Sequence, residues 1–210
     1  MKISRLHYIT TNAQAAGLAC RGGVRWVQLR VKNLPYAEWR QRALDTQAVC
    51  RHHDATLIIN DNPALALEIG ADGVHLGKQD MPPAEARALL GSDFVIGGTA
   101  NTFADIEGLV AAGVDYVGLG PFRFTTTKEK LSPVLGLAGY AELLARCRAA
   151  GFAVPVVGIG GIELADVAAL LATGLHGVAV AGAIGGAADP GAAASQFAEE
   201  LAKNQLVTTI

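Results

Sequence analysis

Aromatic residues make up only 6% of this 210-residue chain and charged residues 17%, with a formal net charge of −2. A nucleic-acid surface shows a basic face or stacking aromatics, so this composition argues against one. The chain also lacks an uncharged apolar run long enough to cross a bilayer, and Met1-Lys2-Ile3-Ser4-Arg5 leads straight into a strand-like segment rather than a secretory apolar stretch. These absences point to a cytoplasmic protein that acts on small molecules, with neither nucleic acid nor membrane as a partner. Cysteine is sparse too. Cys20, Cys50 and Cys147 are odd in number and widely spaced on helix-like stretches, which makes them packing residues rather than a disulfide or a thiol centre.

The chain is rich in apolar residues, at 51%, and in glycine, with 25. That suffices for one substantial core, so a single domain over residues 1–210 is the expectation. Short β-branched runs alternate with longer alanine- and leucine-rich runs throughout, the pattern of parallel strands covered by helices. Strands are expected at Leu6–Thr10, Trp26–Arg30, Thr56–Asn60, Gly73–Leu76, Phe94–Gly98, Tyr116–Gly120, Val154–Ile159 and Gly177–Ala181. Helices are expected near Ala13–Arg21, Tyr36–His52, Pro63–Ile69, Pro83–Leu90, Thr102–Ala112, Leu137–Ala150, Leu164–Ala172 and Ala192–Lys203. The fold class is therefore α/β, a (β/α)8 barrel of the TIM type. The second helix carries an apolar period at Trp39, Ala43, Ala48 and Val49.

The two ends of such a barrel read differently. Gly70, Gly113 and Gly174 each follow a helix and precede a strand, where a glycine supplies a left-handed helix end, and these turns look structural. Polar and glycyl residues gather instead just after the strands, where a barrel places its chemistry. The one long connection, Pro121–Gly136, carries Phe122, Phe124, Thr125, Thr126, Thr127 and Lys128, and reads as a binding loop or lid, with ordinary surface wandering as the rival.

Gln28, Arg30 and Lys32 alternate at the end of the second strand, so an extended chain puts all three side chains on one side. Arginine grips phosphate in a fork and lysine adds a mobile charge, which suggests a polyanion. The rival is an Arg30 paired to a barrel carboxylate beside a solvated Lys32. Asn60-Asp61 after the third strand and Asp80 after the fourth offer oxygen ligands for a hard cation, and two carboxylates beside two cations fit a magnesium pyrophosphate better than a dedicated cage. His75 precedes the fourth strand's exit and is either a pocket hydrogen-bonding residue or core packing. After the seventh strand come Gly160 and Gly161, and after the eighth Ala181 and Gly182. These small residues expose backbone amides where barrels bind a monophosphate, although tight packing also demands glycine. Lys128 is a third mobile cation, either closing over the pyrophosphate or solvated. Two anion sites across one mouth suggest group transfer between two phosphorylated small molecules.

Several stretches resemble the thiamine phosphate synthase family: Val27-Gln28-Leu29-Arg30-Val31-Lys32, Ile59-Asn60-Asp61-Asn62, the run from Gly70 to Asp80, Gly118-Leu119-Gly120-Pro121 with Thr125-Thr126-Thr127-Lys128, and Val157–Ile162. The resemblance implies a transferase that joins 4-amino-2-methyl-5-hydroxymethylpyrimidine diphosphate to 4-methyl-5-(2-hydroxyethyl)thiazole phosphate, or its carboxylated form, with release of pyrophosphate. It implies Mg2+ on Asp61 and Asp80, pyrophosphate contacts from Arg30, Lys32, Asn60 and Lys128, and a pyrimidine pocket at Gln28. It also implies a dissociative path, in which pyrophosphate leaves before the thiazole nitrogen attacks the pyrimidine methylene cation, so no protein nucleophile is needed. His75, Thr99, Thr125, Thr127, Gly160, Gly161, Ala181 and Gly182 complete the expected substrate site. Assembly as a homo-oligomer is left open.

The chain departs from the family pattern at three positions. Thr99 stands at a serine position and keeps a hydroxyl. Asn101 stands at a histidine position, and Gly182 replaces a serine in the last phosphate loop. The alternatives are a thiazole tautomerase-like isomerase and a non-catalytic barrel that binds thiamine precursors. The tautomerase family uses as its base the histidine replaced here by Asn101, and an amide carries no transferable proton.

Overall fold

The computed structural model describes residues 2–124 and 133–203. In chain order the elements are β1 (Leu6–Thr10), α1 (Ala13–Arg21), β2 (Trp26–Leu29), α2 (Tyr36–His52), β3 (Thr56–Asn60), α3 (Pro63–Ile69), β4 (Gly73–Leu76), α4 (Pro83–Leu90), β5 (Val95–Ala100), α5 (Phe103–Ala111) and β6 (Tyr116–Leu119). There follow α6 (Gly136–Ala149), β7 (Val156–Ile159), a 3-10 turn at Leu164–Asp166, α7 (Val167–Ala172), β8 (Gly177–Val180), α8 (Gly182–Gly185) and α9 (Pro190–Lys203). The strands pair in parallel from β1 to β8, and β8 returns to β1 to close the barrel. The α/β barrel expectation is therefore met.

Parity along the strands divides the apolar residues into two cores. Val27, Leu29, Leu57, Ile59, Val74 and Leu76 point outward into the large barrel–helix core. Trp26, Ile58, Val95, Tyr116, Val157 and Ala179, on the opposite parity, fill the barrel interior. A one-residue slip in any strand would exchange the two sets.

Glycine and aspartate or histidine close the amino-terminal face by a repeated device. Gly70, Gly113 and Gly174 all have positive φ, as their place at helix ends requires. The residue two places on caps a neighbouring backbone: Asp72 accepts from Leu57 N at 2.7 Å, Asp115 from Ile96 N at 2.7 Å, and His176 Nε2 donates to Ile3 O at 3.0 Å. This face is structural.

Several boundaries differ from the sequence expectation. β2 stops at Leu29, β6 at Leu119 and β8 at Val180, each one residue early, because the next residue already belongs to a mouth loop. β5 runs from Val95 to Ala100 rather than Phe94 to Gly98, so Thr99 lies on a strand, register-paired with Gly118. β7 begins at Val156, since Pro155 offers no amide to a ladder. α5 starts after Thr102, which is its N-cap in a capping box with Asp105. α6 is shifted back one residue, a 3-10 turn precedes α7, and α9 starts at Pro190. The short α8 was not anticipated.

The inward face of α2 is also more polar than its apolar period implied. Ala43, Thr46, Gln47 and Cys50 are buried while Ala48 is exposed. Gln47 is needed there because its amide donates at 2.8 Å to both Ile69 O and Gly70 O at the open end of α3. All three cysteines are free and buried, and burial pushes the Cys50 thiol up to about 12, which suits packing rather than thiolate chemistry.

Candidate active site

The carboxyl ends of the strands surround a cleft of about 1250 Å3. One half of its wall is built from side chains on β2, β3 and β4. Gln28 and Asn60 both face inward, buried, and Gln28 Nε2 donates to Asn60 Oδ1 at 2.7 Å. Arg30 lies in the cleft wall and has no ion-pair partner among the described residues, so the reading that ties it to a barrel carboxylate finds no support. Lys32 leans across to Asp61 and forms an ion pair with its carboxylate.

Asp61 is held at φ +67, a left-handed conformation that aspartate adopts more readily than most residues, with its N–H donating to His75 O at 2.9 Å. Asp80 folds back so that Gly77 N donates to its Oδ2 at 2.6 Å. Burial, then the adjacent Asp61 carboxylate, raises the Asp80 carboxyl above the usual aspartate range. Two like charges have thus been placed side by side, with Lys32 as the cation nearest to them. Among the described residues no cluster of three or more histidine, cysteine, aspartate or glutamate side chains forms a metal cage.

The floor is polar and aromatic. His75 Nδ1 lies 3.0 Å from the Tyr116 hydroxyl and Nε2 lies 2.9 Å from Thr99 Oγ1, so His75 is both buried and part of the cleft wall. The two sequence readings of this residue prove compatible. Asn101, at the next inward position after Thr99, donates its amide to Gly120 O and ties the ends of β5 and β6 together.

The other half of the wall is rich in small residues, with Gly160, Gly161, Ala181 and Gly182 beside Ile159, Ile162 and Glu163. Gly160 and Gly161 have φ +88 and +67, conformations that strongly favour glycine. A Cβ would stand 2.7 Å from Pro121 Cβ at Gly160 and 2.9 Å from Arg123 Cβ at Gly161. The pair packs tightly and also borders the cleft. The root of the long connection lies along this loop, with Phe122 N donating to Ile159 O at 2.9 Å and Arg123 N to Gly160 O at 3.0 Å. Arg123 further donates to Gly161 O at 2.9 Å and forks onto the Asp166 carboxylate. Ala181 and Gly182 open α8, whose first N–H groups have no intrahelical acceptor, and a Cβ at Gly182 would meet open space. Thr125, Thr127 and Lys128 lie outside the described residues.

Sequence reasoning passed over Tyr116 and Gly118, although their parity on β6 marks them as inward-facing. It also passed over the Arg123–Asp166 clamp, for which charge spacing gives no signal because the partners are distant in sequence.

A family model described as thiamine monophosphate synthase matches residues 4–184. A thiamine-phosphate synthase of Phocaeicola vulgatus is 51% identical over 176 residues, 84% of this chain and 85% of that one. One from Flavobacterium johnsoniae is 48% identical over 189 residues, 90% of this chain and 89% of that one. The solved structure of a thiamine phosphate pyrophosphorylase from Pyrococcus furiosus superposes with a TM-score of 0.84 at 28% identity, over 95% of this chain and 96% of that one. With the same barrel and a match that runs through both halves of the cleft wall, the chain belongs to the thiamine monophosphate synthase family.

Proposed function

We propose that this chain condenses the aminopyrimidine diphosphate with the thiazole phosphate, plain or carboxylated, to yield thiamine phosphate and pyrophosphate. One observation carries the reading: a single cleft has cationic and carboxylate side chains on its β2–β4 side and glycine backbone on its β7–β8 side. That division suits two different phosphorylated ligands held face to face.

On the first side Arg30 grips the diphosphate, Lys32 exchanges its Asp61 contact for a phosphate oxygen, and Asn60 and Gln28 offer amide groups to ligand. Asp61 and Asp80 would hold the metal. Two adjacent carboxylates, with no cluster of three or more histidine, cysteine, aspartate or glutamate side chains among the described residues, fit Mg2+, a hard cation that takes few protein carboxylates. When bound, the ion supplies positive charge that offsets the charge of the diphosphate. On the second side the amides of Gly160, Gly161, Ala181 and Gly182 bind the monophosphate.

The chemistry asks the protein for leaving-group stabilisation and exclusion of water, not for a nucleophile. Arg30 and Lys32 meet the charge that grows as the carbon–oxygen bond breaks, and we assign Lys128 to the same task. A pyrimidine methylene cation then needs only a close thiazole nitrogen, which the facing anion sites provide by orientation. The tautomerase alternative lacks its base, since Asn101 carries an amide that is engaged with Gly120 O.

Purified protein with both substrates and magnesium should release pyrophosphate and form thiamine phosphate in equal amounts, and should release none with either substrate alone. Pyrophosphate released from the diphosphate alone at the full rate would mark a hydrolase and contradict the reading.

A further inference from the structure

Tyr116 lies at the bottom of the cleft and is almost fully buried. Strand glycines make room for it and for the ring it meets. A Cβ at Gly97 would stand 2.2 Å from Tyr116 Cζ and 2.6 Å from its hydroxyl, and one at Gly118 would stand 2.9 Å from His75 Cε1. Gly97 is register-paired with both His75 and Tyr116, so three adjacent strands bring the two rings together.

A buried phenol must place its proton on an acceptor. Burial drives the Tyr116 phenol above its ordinary range, so it remains a neutral O–H group. Trp26 packs edge to face against it at 5.7 Å between centroids, but an indole N–H is a donor only. His7 also packs on its edge, at 5.1 Å, and donates Nε2–H to Ser4 O at 2.9 Å. Among the described residues, the acceptor within hydrogen-bond reach of the phenol is His75 Nδ1, at 3.0 Å. If Nδ1 carried a proton instead, the Tyr116 O–H would lose that acceptor inside the barrel, an arrangement that native interiors avoid.

We propose that Tyr116 is a positioning residue that fixes His75 as its Nε2–H tautomer and so turns Thr99 into a hydrogen-bond donor toward the aminopyrimidine. With Nδ1 accepting from Tyr116, the neutral imidazole must donate Nε2–H to Thr99 Oγ1, 2.9 Å away. The Thr99 oxygen then accepts, and its own proton is directed into the cleft that Thr99 lines. The opposite tautomer would draw the Thr99 proton back to His75 and show the ligand only lone pairs. The relay therefore selects a ligand atom with a lone pair, such as an aromatic ring nitrogen, over one bearing hydrogen. The identity of that ligand rests on the function proposed above.

The test begins with ligand-free wild-type protein labelled with heavy nitrogen at histidine, His75 being assigned by its loss in His75→Asn. Nitrogen shifts should show His75 Nε2 protonated and Nδ1 bare. In Tyr116→Phe, which removes only the hydroxyl, the tautomers should mix, and Kd for the aminopyrimidine diphosphate should rise about tenfold while Kd for the thiazole phosphate holds. Thr99→Ser should bind the diphosphate as wild type does, and Thr99→Val should weaken it about tenfold, which keeps the relay testable should Tyr116→Phe fold poorly. A protonated Nδ1 in wild type, or diphosphate binding unaltered in Thr99→Val, would overturn the relay. The spectrum needs no turnover: product formation with the wrong tautomer defeats the relay alone, and the right tautomer without product defeats the proposed reaction alone.

Discussion

The two halves of the mouth are built by different means. On β2–β4 the groups in the wall are side chains: Arg30, Lys32, Asp61 and Asp80 sit on a backbone that pairs regularly up to the strand ends. On β7–β8 small residues dominate the loops at the wall, with Gly160 and Gly161 in left-handed conformations packed against Pro121 and Arg123. Side chains at the mouth can be exchanged without losing the frame, whereas Gly160 and Gly161 cannot be replaced without disturbing the packing that shapes their loop.

The largest effect separating the halves should come from the carboxylates. Asp61→Asn or Asp80→Asn should lower turnover by at least about 100-fold while thermal unfolding stays nearly unchanged, since asparagine tolerates the left-handed conformation of Asp61 and keeps an oxygen acceptor for Gly77 N while removing the charge. Turnover unchanged in both variants, measured by pyrophosphate release, would remove the metal from the β2–β4 half. Gly160→Ala should strike fold and function together. Forcing a non-glycine residue into φ +88 against Pro121 should cost about 1–3 kcal/mol of stability and raise KM for the thiazole phosphate more than KM for the diphosphate. Denaturant titration beside steady-state kinetics reads both, and an equal rise in the two KM values would erase the distinction between the halves.

A control lies beneath both halves, in the barrel interior. Burial drives His7 down to about 3, so the folded protein keeps it neutral where the unfolded chain takes up a proton. The unfolded state then binds more protons, and stability is full above about pH 6.5 and falls toward about pH 3, by about 1.4 kcal/mol per pH unit. His176 is lowered by burial as well and adds an effect of the same sign. Urea midpoints at neutral and mildly acid pH should show the loss, and His7→Asn should flatten it without favouring either substrate. The smallest change is expected at Gly182, where a side chain meets open space. Gly182→Ser should lower KM for the thiazole phosphate about threefold by adding one hydroxyl contact, with KM for the diphosphate unmoved.

The same contrast explains what could be read in the sequence. Strand and helix alternation carried the barrel, and the alternation of Gln28, Arg30 and Lys32 placed the cationic half because charge and parity are both visible in one dimension. Gly160 and Gly161 were legible as glycines, yet their packing against Pro121 and Arg123 was not, because the partner is remote in sequence. Thr99 was placed beyond the end of β5 because Gly97-Gly98 read as a strand terminus. In the folded chain those glycines stay in the ladder to make room, Gly97 for the Tyr116 ring and Gly98 for Leu109. Gln47 was hidden by its polarity, since periodicity counts apolar residues and cannot see a buried amide capping a neighbouring helix. The short α8 is too glycine-rich for propensity to reveal it.

The division of the mouth is tested most directly by a crystal structure of the protein with thiamine phosphate, pyrophosphate and magnesium bound. Pyrophosphate and the ion are expected at Arg30, Asp61 and Asp80, and the monophosphate at hydrogen-bond distance from the amides of Gly160, Gly161 and Gly182. Pyrophosphate on the glycine loops, or a monophosphate at the amino-terminal face of the barrel, would contradict it.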